Sequence, residues 1–275
     1  MNKLLNSIKI HKSDVEPLPY AVYSSVFEQR LLNVPIVKPM LIAVLSGDKQ
    51  LDGEQQLTCS AGQFVFLSNS PTTSMRNIPI GSQYCALLIE FEISDFEGIK
   101  LNQTQSYGLC FGEICSRLSA CLAQFVEWAH IAPPAMWAMR RKEIVHLLFQ
   151  LGHSNIAGLV HSHSLSNQIH LVIANDQELD VTIESLCQRF AMSESTLRRK
   201  LKAEGITLQD IKDQVRLGQG LHLLQSTRKS IGMIANVCGY QSQSRFSERF
   251  KYRFGLTPSQ LRKTQMAVSG ENLTV

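Results

Sequence analysis

What this 275-residue chain lacks narrows the field before anything it contains is weighed. It has no run of 18 or more uncharged apolar residues, the length a membrane-spanning helix needs, so no membrane partner is expected. Its N-terminus carries Lys3, Lys9 and Lys12 with no apolar stretch behind them, unlike a secretory signal. Seven cysteines, an odd number, lie scattered without framework spacing, which favours a reducing, cytoplasmic setting. No G-x-S-x-G nucleophile elbow occurs. Between Tyr20 and Ile93 there is no histidine, although a strand-built metal centre needs clustered His and carboxylate ligands. The H-x-H pair, His161 and His163, falls in a polar connecting stretch, and Cys110, Cys115 and Cys121 sit at helix-like spacings rather than in C-x-x-C pairs. Catalytic residues, metal ligands and cofactors are therefore not expected.

What is present is length for two domains and an uneven charge. Residues 1–160 hold 12 Lys/Arg against 13 Asp/Glu; residues 161–275 hold 15 against 10. The basic half also says the same thing twice. Cys187, Ala191, Leu197, Leu201 and Gly205 recur as Ala235, Gly239, Phe246, Phe250 and Gly255, at offsets of 48 to 50 positions. Each copy reads as helix, tight turn, helix, with a small residue where the helices approach. That is the helix-turn-helix arrangement, whose second helix enters the DNA major groove. The units are placed at about 182–204 and 230–253.

Ser230-Ile231-Gly232-Met233-Ile234-Ala235, Gly239-Tyr240, Phe246-Ser247-Glu248-Arg249-Phe250-Lys251 and Phe254-Gly255-Leu256-Thr257-Pro258 together resemble the signature of the AraC/XylS transcription regulators. The resemblance covers roughly residues 165–263. It implies a DNA-binding regulator, more often an activator working beside RNA polymerase, and implies for residues 1–160 a cupin-like barrel that binds an effector, with helices that dimerise. The enzyme alternatives are a cupin-type metalloenzyme, or an Ada-like methyl-accepting protein, fused to the DNA-binding part.

Helical geometry selects the reading faces. At about 100° per residue, with Leu197 and Leu201 buried, Ser195, Arg199 and Lys202 point outward and Thr196 and Arg198 flank them. With Phe246 and Phe250 buried, Ser244, Glu248 and Lys251 point outward beside Gln243, Arg245 and Ser247. Arg199 suits a bidentate contact to guanine; Lys202 and Lys251 suit phosphates. Glu248 either accepts from cytosine N4 or pairs with Arg245 or Lys251. The pattern Leu208–Gln225 predicts a connecting rod of about 25 Å, enough to set the two units on successive major grooves. Gly218 within it hints at flexing, whereas Gly220 reads as close packing. Ala191 occupies a turn slot that Gly239 fills in the second copy.

In the first half, short apolar runs between Gly, Asn, Ser and Pro turns predict an all-β sandwich or barrel over about 20–93, after a loose N-terminal arm. Ser68-Asn69-Ser70-Pro71 reads as one of the turns. Helices follow over about 113–151, forming a hairpin across Pro133-Pro134, and Gly152–Ser166 reads as the linker. The stripe Ile114, Leu118, Cys121, Leu122 and Phe125 either covers the barrel or forms a homodimer seam. An acidic or amphipathic effector needs a cation, and Arg30, Lys38, Lys49 and Arg76 are the candidates. The expected class is α+β: a β-rich regulatory domain with a helical hairpin (1–160), then an all-α domain (161–275) with two helix-turn-helix units joined by a long helix.

Overall fold

The computed structural model describes residues 4, 7–8, 18–52, 56–68, 70–99, 109–156, 158, 164–175 and 181–265. Among the described residues, nine strands build two antiparallel sheets. They are β1 (Ala21–Ser25), β2 (Gln29–Ile36), β3 (Met40–Ser46), β4 (Asp48–Leu51), β5 (Leu57–Ser60), β6 (Gln63–Leu67), β7 (Ser70–Ile78), β8 (Tyr84–Glu90) and β9 (Leu109–Glu113). One sheet has the order β1-β8-β3-β6-β9, the other β2-β7-β4-β5. Alternation along β3 explains why the runs are continuously apolar: Ile42 and Val44 face the sandwich interior, while Leu41, Ala43 and Leu45 face the opposite way. That outer face is covered by the hairpin of α1 (Ser116–Ala129) and α2 (Trp137–Gln150), through Leu118, Leu122, Phe125, Ile144 and Leu148.

Several expectations are corrected. Leu4 and Ile8, in the stretch read as a loose arm, are buried against this hairpin core, and Ser7 Oγ donates to Glu127 at 2.8 Å. β7 begins at Ser70, inside the predicted turn, and β9 extends the sheet beyond residue 93. Ile114 precedes α1, whose N-cap is Cys115, so it is not part of the helical stripe. The stripe itself, Leu118, Cys121, Leu122 and Phe125, is consumed by the chain's own core and is not free to form a dimer seam. The predicted domain boundary and His161-Ser162-His163 lie outside the described residues.

The C-terminal half is helical: α3 (Leu165–Asn175), α4 (Ile183–Arg189), α5 (Glu194–Ala203), α6 (Leu208–Ser226), α7 (Ile231–Val237), α8 (Gln243–Phe254) and α9 (Pro258–Thr264). Local chemistry sets the ends. Ser193 and Ser242 cap α5 and α8 by accepting from the backbone N–H groups of Thr196 and Arg245. Thr207 with Asp210, and Thr257 with Gln260, form capping boxes for α6 and α9. Gly255, at φ +82°, ends α8 in the left-handed conformation, and Pro258 opens α9 three residues on.

Candidate functional site: two recognition faces and a cavity

The turns of both units need positive φ. Gly239 adopts +74° without strain; Ala191 adopts +49°, at a cost of roughly 1 kcal/mol. Beyond the turns, Leu197 and Leu201 anchor α5, and Phe246, Phe250 and Phe254 anchor α8, all of them buried. Anchored so, α5 exposes Ser195, Arg198, Arg199 and Lys202 with Thr196 half-exposed; α8 exposes Gln243, Ser244, Arg245, Glu248 and Lys251 with Ser247 half-exposed. Arg198 is closed on Glu194 at 2.7 Å, and Thr196 and Ser195 share hydrogen bonds with Ser193. Arg249, beside the exposed face of α8, is held by Asp213 of α6 at 2.5 Å.

The connecting helix α6 has 19 residues, about 28 Å of rise. A Cβ at Gly220 would lie 2.7 Å from the Phe246 ring, so glycine there lets α8 seat on α6. Gly218 has a neighbour too: a Cβ there would lie 3.1 Å from Cγ of Pro35. Its smallness serves an approach between the two halves of the chain, a packing reason that stands beside the reading of it as a flexing point. Pro35 belongs to a bulged part of β2, where the register shifts twice and Asn33 has φ +49°. This bulge fits between α6 and the end of α8. Leu32 lies 3.1 Å from where a Cβ of Gly255 would be, and Asn33 Nδ2 donates to the Arg253 carbonyl at 3.4 Å. Further on, the Val26 N–H donates to the Thr264 carbonyl at 2.8 Å and Gln29 Nε2 to Thr264 Oγ1 at 2.7 Å.

Beside the bulge a cavity of about 530 Å³ opens between the sandwich interior and α6. Leu31, Val34, Ile36, Met40, Ile42, Met75 and Leu88 supply apolar wall from the strands; Val215 and Leu221 supply it from α6. Gln214, Gln219, His222 and Gln225 add polar groups from α6, and Tyr23 Oη lies 2.9 Å from His222 Nδ1, joining β1 to α6. None of these polar α6 residues is a site candidate from sequence; they become lining residues only through the packing of the two halves.

Of the four candidate cations, the structure brings Lys38 and Lys49 to the cavity. Lys38 is tied to Glu92 at 2.7 Å. Lys49 is 3% exposed and, among the described residues, touches no carboxylate: its Nζ donates to Asn77 Oδ1 at 2.8 Å and sits 3.1 Å from Met75 Sδ. Burial pushes its pKa down to about 8. Arg30 and Arg76 pair across β2 and β7 on the opposite face, where Arg76 is held by Glu28 at 2.7 Å. Neither lines the cavity.

These features define a class, a β-sandwich carrying a two-unit helix-turn-helix DNA-binding part. Residues 186–264 match the family described as "Helix-turn-helix domain". The transcriptional activator RhaS of Mannheimia succiniciproducens is 32% identical over 109 residues, 39% of this chain and 41% of that protein. The activator RhaR of Salmonella arizonae is 32% identical over 100 residues, 36% of each. The chain thus spans less than half the length of these curated relatives. Over 94% of this chain and 99% of the other, the fold is similar to ToxT of Vibrio cholerae with an unsaturated fatty acid bound (TM-score 0.63, 13% identity). The C-terminal segment thus matches a helix-turn-helix domain, in keeping with the AraC/XylS resemblance of its sequence.

Proposed function

We propose that this protein is a sequence-specific, DNA-binding transcription regulator of the cytoplasm, not an enzyme, whose two recognition helices read successive major grooves. The observation that carries the reading is the position-for-position match of two exposed faces, Ser195/Arg199/Lys202 and Ser244/Glu248/Lys251, each on a capped helix with its other side buried. Arg199 reads guanine, and Lys202 and Lys251 hold phosphates. Activation is the sign that the relatives' names support; work beside RNA polymerase is what the family resemblance implies. Any homodimer uses a surface other than the Leu118–Phe125 stripe.

The effector site is the cavity, with Lys49 its anion-binding group. A buried ammonium without a carboxylate partner is costly, and a bound acid offsets that cost. The unsaturated fatty acid bound to ToxT, which shares this fold, is a ligand of matching character, an anionic head on an apolar body. Its signal reaches DNA through shared walls: Leu31, Val34 and Pro35 of the bulge line the cavity, and the same bulge seats α8.

Two measurements test the reading. In DNA-binding titrations at several salt concentrations, Lys202→Ala should weaken binding across sequences and reduce the slope of log K on log[salt] by about 1. Unchanged affinity in an Arg199→Ala/Lys202→Ala double variant would refute the DNA-contact assignment. For the effector, decanoate should raise the thermal midpoint of the wild type but not of Lys49→Met, and its affinity should fall as pH rises through about 8, where Lys49 loses its proton. Equal stabilisation of both proteins would remove Lys49 from the site.

A further inference from the structure

The two reading faces correspond at every outward position except one in charge: Arg199 in the first unit stands where Glu248 stands in the second. Both are exposed, and among the described residues neither has an ion pair or hydrogen bond. The opportunity exists, because Arg245 and Lys251 lie three residues to either side of Glu248, at the spacing of intrahelical pairs. Elsewhere these helices do pair their charges: Arg198 with Glu194, Arg249 with Asp213. The ion-pair account of Glu248 therefore has no support in the geometry, and an open carboxylate remains on a face that must approach phosphates.

Such a group is repelled by the DNA backbone and by acceptor-bearing base edges. Guanine presents N7 and O6, thymine presents O4, and adenine sets its N7 acceptor beside its amino donor. Cytosine alone presents an amino donor in the major groove with no acceptor next to it. We propose that Glu248 is a specificity-determining residue that selects cytosine in the second half-site, at the position where Arg199 selects guanine in the first. This rests on the DNA-binding reading above and adds that the operator is not a simple repeat. Its two half-sites differ at one matched position, G in one and C in the other, on the strand each helix reads. Arg249 does not blur the choice, because Asp213 holds its guanidinium.

The test is binding-site selection from a random duplex library with the full chain as wild type, Glu248→Arg and Arg199→Ala, followed by titration of single-base variants. Wild type should recover one G and one C at matched positions of two half-sites. Replacing that C by T should lower wild-type affinity roughly 5- to 150-fold. Glu248→Arg should switch that C to G and leave the first half-site unchanged, while Arg199→Ala should lose the G and keep the C. Glu248→Ala gives the decisive contrast, with loss of preference at that one position as the expected result. A uniform gain in affinity for all sequences would make Glu248 a mere electrostatic brake, and an unchanged selection would make it a solvated side chain; either overturns the proposal. Failure of the wild type to select any sequence would sink the DNA-binding reading itself, a result distinguishable from both. Glu248 is exposed, so an unchanged thermal midpoint in its variants should confirm that folding is intact.

Discussion

In the first helix-turn-helix unit, Leu186, Leu197 and Leu201 pack with Ile169, Ile173, Ile211 and Val215 in a cluster of their own. In the second, Ile234, Phe246, Phe250 and Phe254 belong to the same buried cluster as Ile42, Val65 and Leu88 of the sandwich interior. One motif, repeated, has thus been given two foundations: one local to the helices, one shared with the β-half. The aromatic anchors of α8, against leucines in α5, supply the larger surface that reaches across. A displacement in the sandwich interior would thus meet α8 directly, and α5 only through α3 and α6.

The largest effect that bears on this contrast is a cavity at an anchor. Phe250→Ala should destabilise by about 3–5 kcal/mol, and amide exchange should show lost protection in β3 and β8 as well as in α8. Leu201→Ala should cost about 2–5 kcal/mol with its loss confined to α3–α6. Equal spread from both variants would break the distinction. Next is acidification. His170 of α3 is buried, and its Nε2 has no hydrogen-bond partner among the described residues. Burial, with Arg253 adding to it, holds its pKa down to about 4, below the usual 6.5. The folded state therefore binds fewer protons than the unfolded one between these values. Stability is fully present above pH 6.5 and lost as pH falls toward 4, by up to about 3 kcal/mol. Urea titrations of His170→Phe should show that slope flattened. Gly220→Ala should cost about 1–3 kcal/mol by forcing the Phe246 ring aside. Smallest is Gly218→Ala, where a contact of 3.1 Å to Pro35 opposes a helix-propensity gain of ~1 kcal/mol, leaving a net change under about 1 kcal/mol. A loss there as large as that of Gly220→Ala would mean the bulge cannot yield.

Much of this was legible in the sequence, and the gaps have physical causes. Repeat offsets located both units, because the small and aromatic residues that space two helices are local requirements. Which of the three strand cations turns inward follows from the alternation of side chains along each strand. Lys49 is two residues before Leu51 and so inward, whereas Arg30 alternates with buried Gln29 and Leu31, and Arg76 with Met75 and Asn77. Leu4 and Ile8, four apart, carried a helical signal too short to stand against their polar neighbours. Gly218 looked unexplained because its reason, Pro35, lies 183 positions away in the chain. The α6 side of the cavity was invisible for the same cause: periodicity reports which face is buried, never against what.

The bond from Gln29 to Thr264 joins residues 235 positions apart. On a ribosome adding about 5–20 residues per second, β2 emerges some 10–50 s before α9 exists to meet it. During that interval Leu31, Val34 and Ile36 have the sandwich beneath them but lack the helices that complete their cluster. The nascent chain thus presents an apolar, bulged strand until its last helices are made. The bulge breaks regular hydrogen-bond pairing along β2, and such irregularity guards a waiting strand against pairing with the wrong neighbour. The feature that seats α8 in the finished protein also guards the chain while α8 is still being synthesised.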